Sequence, residues 1–242
     1  VRNVTWLISY PRSGNTWMRL LLGAILSPKN VSYKKIDELL PDTHQRLSYF
    51  LKRFREKKDL PFLVFKSHSI YPRGVERGDK FIYLYRDPRD VALSEYYYRQ
   101  WERGVEKKPP IKDFTTFLKE QFVKGGDYGT WRIHVLFWTQ KTDKANLVIR
   151  YEDLYEHTED VLSSVLEVLG YIPTKEEVRR AVELTSFNRC IEMAEKEEVH
   201  TLKRGLKGRP GRWKEEMNEE QLEIIKSFCG DVMEMLGYDW EV

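Results

Sequence analysis

The stretch Val4-Thr5-Trp6-Leu7-Ile8-Ser9 has the pattern of a buried strand. It passes through a short loop, Tyr10-Pro11-Arg12-Ser13-Gly14, directly into residues 15–26, whose apolar positions recur at helical spacing. Such a strand–loop–helix unit opens an open α/β sheet. The helix start presents backbone N–H groups and a positive dipole end, which favour an anion. Further apolar runs at 62–66, 80–85 and 147–149 read as strands. Periodic segments at 157–169, 175–184 and 218–236 read as helices, and Pro88 sits where another would begin. Thr174 with Glu177, and Asn218 with Gln221, have capping-box spacing. Short strands alternating with helices predict an α/β fold: a single domain over 1–242, with a central parallel sheet flanked by helices and a P-loop-like phosphate-binding loop after the first strand.

Composition narrows the class of function. With 242 residues, 41% hydrophobic and 33% charged, the chain can bury a proper core, and it shows no repeat or linker. A net charge of +3 suits anionic small molecules better than nucleic acid. The two cysteines, Cys190 and Cys229, form no metal-ligand spacing, which fits a reducing compartment and a cytoplasmic location. The longest apolar run, near 20–26, is too short to span a bilayer, and the chain opens on a strand-like segment rather than a signal peptide. The segment 195–214 is rich in Lys, Arg and Gly and is expected to be a mobile surface stretch.

Three strand ends carry cationic or proton-accepting groups towards one edge. In the first loop, Gly14 allows close backbone approach, Ser13, Asn15 and Thr16 can donate hydrogen bonds, and Arg12 adds a fixed charge. Ser13 or Asn15 would equally serve as an ordinary helix cap. The loop is no Walker A motif, because no Gly-Lys-Ser or Gly-Lys-Thr follows it, which disfavours a nucleoside triphosphatase. Arg86 ends the third strand segment, and Ser94 falls two turns into the helix behind Asp87-Pro88. An arginine there can grip a phosphate in bidentate fashion, or simply pair with a neighbouring aspartate. Lys66-Ser67-His68 ends the second strand segment, where a histidine can take a proton near neutral pH or play a structural part.

These residues resemble the PAPS-dependent sulfotransferases of the cytosolic type. Tyr10 to Trp17 is similar to that family's 5′-phosphosulfate motif, usually Tyr-Pro-Lys-Ser-Gly-Thr-Thr-Trp, and Arg86 to Ser94 to its 3′-phosphate motif. Lys66-Ser67-His68 resembles the segment of the catalytic base, and Tyr151-Glu152-Asp153-Leu154 a further signature. Thr185-Ser186-Phe187 resembles an element near the adenine site. Lys207-Gly208-Arg209-Pro210-Gly211-Arg212-Trp213-Lys214 resembles the C-terminal Arg-Lys-Gly-x-x-Gly-x-Trp-Lys segment. The sequence shows no obvious Asp/Glu metal cluster, so no metal is expected. The resemblance implies a donor, 3′-phosphoadenosine 5′-phosphosulfate (PAPS), and a product, PAP. It implies that Arg12, Ser13, Gly14, Asn15 and Thr16 hold the 5′-phosphosulfate, with Trp17 near the adenine. Arg86 and Ser94 would take the 3′-phosphate, with Tyr151, Thr185 and Phe187 framing the adenine and Lys207 and Gly208 closing over the phosphate. His68 would be the general base, Lys66 would steady the sulfuryl group, and Arg12 would neutralise the leaving oxygen.

The chain departs from the family pattern in places. Arg12 stands for a lysine and Asn15 for a threonine, and Leu206 occupies the place of an arginine for which Arg204 or Arg209 can substitute. Asn218-Glu219 lies where the family's dimerisation motif has Thr-Val, so a monomer or a dimer of another type is expected. The acceptor is read as a small molecule with a hydroxyl or amine, its pocket shaped by loops at about 28–61, 69–78 and 95–127. Tyr96, Tyr97, Tyr98 and Trp101 are available either to it or to the core. The rival readings are a kinase-like nucleotide phosphotransferase, which needs the missing Walker lysine, and a binding module that would need neither Lys66 nor His68.

Overall fold

Every residue of Thr5–Ser9 is buried, as a strand covered on both faces requires. The computed structural model describes residues 3–43, 48–141, 145–199 and 208–240. In it this strand, β1, lies between β2 (Val64–Ser67) and β3 (Lys80–Tyr85), with β4 (Leu147–Arg150) beyond β3. All the pairings are parallel and the order is β2-β1-β3-β4. Thr5 sits opposite Val64 and Lys80, and Tyr85 opposite Arg150. The carboxyl ends of all four strands therefore open on one edge.

The two-residue period of the strands divides the core. Trp6, Ile8, Phe65, Phe81 and Tyr83 face one side, where Trp131, Trp138 and Val232 cover them. Leu7, Val64, Ile82, Leu84 and Ile149 face the other, against Leu20, Leu21, Leu166 and Val178. The helices are α1 (Asn15–Leu26), α2 (Tyr33–Leu39), α3 (Ser48–Arg55), α4 (Pro88–Val105), α5 (Phe114–Phe117) and α6 (Trp131–Leu136). After β4 come α7 (Tyr151–Glu156), α8 (Thr158–Val168), α9 (Lys175–Leu184), α10 (Phe187–Lys196), α11 (Trp213–Glu216) and α12 (Glu219–Met235). Both α5 and α6 run on into π turns, Leu118–Phe122 and Phe137–Lys141.

The caps follow the side-chain chemistry. Asp87 accepts the Arg89 N–H at 2.8 Å and Pro88 occupies the first turn of α4. Both expected capping boxes form, at Thr174 and at Asn218, so Asn218 is spent on starting α12. Away from the open edge, Arg55 is fully buried and grips Asp79 with both Nη atoms, at 2.7 and 2.5 Å. Asp79 also accepts the Trp6 indole N–H at 2.8 Å and the Val4 N–H at 3.1 Å, tying α3 and the approach to β3 to the start of β1.

Three sequence expectations need correction. The strand expected at 62–66 runs from Val64 to Ser67, with Phe62 packed against Tyr171 instead. The spans 28–61 and 95–127, expected as loops, contain α2, α3, the last turns of α4, and α5. Ser32 and Asp113 act as side-chain caps that start α2 and α5. Finally, the part of 195–214 that is described is not loose surface: Trp213 is only 3% exposed. Asp90, buried at the start of α4, accepts the N–H groups of Gly211 at 2.8 Å and Trp213 at 3.2 Å. A buried carboxylate in another element thus organises a segment whose own composition reads as solvated. Residues 200–207, and with them the candidates Arg204 and Lys207, lie outside the described residues.

Candidate functional site

The β1–α1 loop contains two left-handed residues, Arg12 at φ 67° and Gly14 at φ 98°, on either side of Ser13. Successive N–H groups in such a turn converge on an anion-sized concavity. Gly14 is the N-cap of α1 and supplies no side-chain cap. Neither Ser13 nor Asn15 caps the helix. Ser13 is fully buried and its Oγ has no hydrogen-bond partner. Asn15 turns back to donate to the Leu7 carbonyl at 3.3 Å and Ser9 Oγ at 3.1 Å, leaving its own Oδ1 unpartnered. Buried polar atoms are ordinarily satisfied, so these orphans, at a helix start, mark where a polar ligand belongs. Thr16 is exposed at the mouth.

Arg86 leaves β3 on the same edge and is 6% exposed. Its Nη2 reaches Asp90 at 3.3 Å and the carbonyls of Gly208 and Arg209 at 3.5 and 3.4 Å, while its Nε has no partner. The guanidinium lies 4.3 Å from the Tyr151 ring centre. The Tyr151 hydroxyl donates to the Gly208 carbonyl at 2.7 Å. Glycine is required on both sides of this closure. A Cβ on Gly14 would stand 2.4 Å from Tyr151 Cδ2, and one on Gly208 1.7 Å from Phe187 Cε1. Ser94 accepts from Arg12 Nε at 3.0 Å, so two side chains that the family resemblance gives to different ends of the nucleotide touch each other here.

Trp17 anchors an aromatic box. Its indole N–H donates to the Thr185 carbonyl at 2.9 Å, and its ring centre lies 5.1 Å from Phe187 and 6.1 Å from Tyr151. Thr185 contributes that carbonyl; its hydroxyl donates back to Ala181 at 2.8 Å. Tyr155, which the sequence reading did not single out, completes the box 5.6 Å from Phe187. Beside it lies an open hollow of about 460 Å³, lined among others by Tyr155, Phe187, Asn188, Arg209 and Arg212. Arg209 is engaged with Glu215 and Arg212 with Glu216.

Lys66 and His68 emerge from β2 on the neighbouring part of the edge. Lys66 is paired with Asp42; burial lowers its pKa, and Asp42 opposes that. His68 Nδ1 lies 2.7 Å from the Ser9 carbonyl and 3.3 Å from Ser9 Oγ. A carbonyl can only accept, so Nδ1 carries the proton and Nε2 keeps a lone pair. Burial first, then the Lys66 charge, holds the ring well below its ordinary pKa, so it stays neutral. Tyr128, another residue the sequence did not single out, edges the imidazole at 5.4 Å. The Arg12 guanidinium lies 4.9 Å from the Tyr98 ring centre; burial lowers its pKa and Glu95 raises it. Tyr98 and Trp101 meet tilted, 5.9 Å apart, beside this corner, whereas Tyr96 packs on Phe114 and Phe117, and Tyr97 donates to Glu216. Among the described residues, no group of three or more His, Cys, Asp or Glu side chains could hold a metal ion.

The family model described as "Sulfotransferase domain" matches residues 2–237. Sulfotransferase 1E1 of Mus musculus is 31% identical over 193 residues, covering 75% of this chain and 63% of the relative. Sulfotransferase 2A1 of Macaca fascicularis is 28% identical over 259 residues, covering 97% and 87%. Against the mouse and rat 1E1 relatives the matched region spans 63% of their length. Among solved structures, mouse sulfotransferase SULT7A1 complexed with PAP superposes at a TM-score of 0.72 with 26% identity, over 97% of this chain and 88% of that one. Retinol dehydratase in complex with retinol and PAP shares the fold at a TM-score of 0.69 and 19% identity, over 100% and 84%.

Proposed function

The chain belongs to the sulfotransferase domain family, and from that premise we propose that residues 1–242 form one sulfotransferase domain that moves a sulfuryl group from PAPS to a hydroxyl or amine of a small-molecule acceptor. One observation carries this reading. The unpartnered buried atoms Ser13 Oγ, Asn15 Oδ1 and Arg86 Nε gather on the sheet edge from which a neutral His68 also emerges. The residues fit the nucleotide: left-handed Arg12 and Gly14 shape a concavity for the 5′-phosphosulfate, and Arg86 offers a free Nε–H for the 3′-phosphate, which Ser94 would share. Trp17, Tyr151, Tyr155 and Phe187 supply flat apolar walls for a purine. Gly208 brings the C-terminal segment over Arg86 and Tyr151, and Lys207 and Arg204 would add charge there.

In the transfer, the acceptor oxygen or nitrogen bonds to sulfur while the bond from sulfur to the bridging phosphate oxygen breaks. His68 Nε2 takes the acceptor's proton, and PAP leaves with the electron pair. Lys66 and Arg12 face negative charge on the group in flight and on the leaving oxygen, so the work is positioning and electrostatic stabilisation. The buried thiols Cys190 and Cys229, which form no disulfide, fit the cytoplasm, and no helix among the described residues is long and apolar enough to cross a membrane. With Asn218 committed to its cap, the chain acts as a monomer or as a dimer of a different kind from the family's.

Calorimetric titration with PAP, with ATP and AMP as controls, tests the donor site without knowledge of the acceptor. Tight binding of PAP, unaffected by magnesium, and much weaker binding of ATP and AMP is the expected result. Arg86→Ala should weaken PAP by about 1.5–3 kcal/mol, the worth of a charge-assisted hydrogen bond. A folded sample that ignores PAP would overturn the reading.

A further inference from the structure

β2 ends at Ser67, and its ladder with β1 stops at the Ile8–Ser67 pair, so the backbone of the next residue, His68, leaves the sheet. Its carbonyl is nevertheless held. His134, on α6, is fully buried and places Nε2 3.0 Å from the His68 carbonyl oxygen. Its other ring nitrogen, Nδ1, lies 2.9 Å from the hydroxyl of Tyr83, itself fully buried in the middle of β3. The proton positions follow from the partners. The carbonyl only accepts, so His134 Nε2 carries hydrogen; Nδ1 is then a lone pair, and the Tyr83 hydroxyl donates to it. Burial, the larger influence, moves His134 down to about 4, so the ring is neutral and both its nitrogens are satisfied in this arrangement. Tyr10 packs edge-on against the same ring at 5.6 Å, fixing its plane. Three residues beyond His134 the helix passes into a π turn, a distortion often found at functional positions.

We propose that His134 is a positioning residue for the base: with Tyr83 it replaces the missing ladder contact and fixes the His68 backbone, so that the Nδ1–H bond to Ser9 leaves Nε2 aimed at the acceptor. The inference rests on the sulfuryl-transfer reading for the identity of the base, but the geometry stands apart from it. A core histidine kept only for packing would be replaceable by any side chain of similar volume. A positioning histidine is replaceable only by one that donates to the same carbonyl.

The test compares the full-length protein with His134→Phe, His134→Gln and Tyr83→Phe. It reads the His68 tautomer by nitrogen-15 NMR, kcat with PAPS and a turned-over acceptor, and PAP affinity. Wild type should show His68 as a single Nδ1–H tautomer. His134→Phe should mix the tautomers and lower kcat roughly 10- to 100-fold, the range of a misplaced catalytic group, with PAP affinity unchanged. His134→Gln, whose amide can donate to the carbonyl, should recover most of the rate. An unchanged tautomer and rate in His134→Phe would overturn the proposal, as would a loss of PAP affinity in step with the rate, or no recovery with Gln. If His134→Phe does not fold, Tyr83→Phe is read in its place: it removes one hydroxyl, should release the tautomer and lower kcat by a smaller factor, and overturns the proposal if it does neither. A wild type that transfers no sulfuryl group defeats the assigned reaction alone, and the NMR result then decides the positioning by itself.

Discussion

The base proposed at His68 works only while its imidazole is neutral, and its surroundings favour that form. Burial and the Lys66 charge lower its pKa, while the Ser9 carbonyl and Asp42 pull the other way without prevailing. Because the neutral form is complete above the lowered value, kcat/KM should stay level from neutral pH down past the ordinary histidine value of about 6.5 and fall only in more acidic solution. A pH–rate profile whose acid limb lies at 7 or above would separate His68 from the rate. At this scale the sequence revealed residues at strand ends, since a strand's apolar run shows where its edge lies. Arg12, Lys66, His68 and Arg86 were found in that way. Tyr128, Tyr155 and His134 escaped notice because their partners are an imidazole edge, a distant phenyl ring and a backbone carbonyl, and none of these leaves a spacing in the chain.

At the corner proposed to hold the nucleotide, long side chains of one element meet backbone carbonyls of another. The segment that begins at Gly208 lies against Phe187 at the start of α10 and under the Tyr151 hydroxyl at the start of α7. Gly208 has φ +39°, and an alanine methyl there would stand inside the Phe187 ring. Gly208→Ala should force the segment outward. Strain of about 1–2 kcal/mol corresponds to roughly a tenfold loss of PAP affinity. Equal PAP affinity in variant and wild type, measured by calorimetry, would show that the segment does not close on the nucleotide. Elements with strong local signals were legible: β1, β3, and the two boxed helices α9 and α12. Several of those missed are short, though α10, with 10 residues, was missed as well. α2 has 7 residues, about two turns, and α5 has 4 before its π turn, about one, too few repeats for a periodic signal; tertiary packing by Ile36 and Phe117 decides them.

Over the whole molecule, stability and chemistry sit at opposite ends of the sheet. The Arg55–Asp79 pair, with both side chains wholly buried, fastens the amino ends of β1 and β3. Asp79→Ala would remove the carboxylate that the buried guanidinium grips with both Nη atoms, leaving Glu76 3.4 Å from its Nε, and should cost about 3–5 kcal/mol. Urea denaturation should show the loss, while PAP affinity of the still-folded fraction stays the same. A matching loss of PAP affinity would mean that the two ends are coupled. The strand order has a further consequence. The ends of β1 and β3 deliver Arg12 to Thr16 and Arg86 of the proposed donor site, and β4 leads into Tyr151, whereas Lys66 and His68 lie at the end of β2, on the sheet's outer flank. On the proposed reading, changes at the flank beside β2 would alter the neighbourhood of the base and leave the phosphate-holding turns after β1 and β3 as they are.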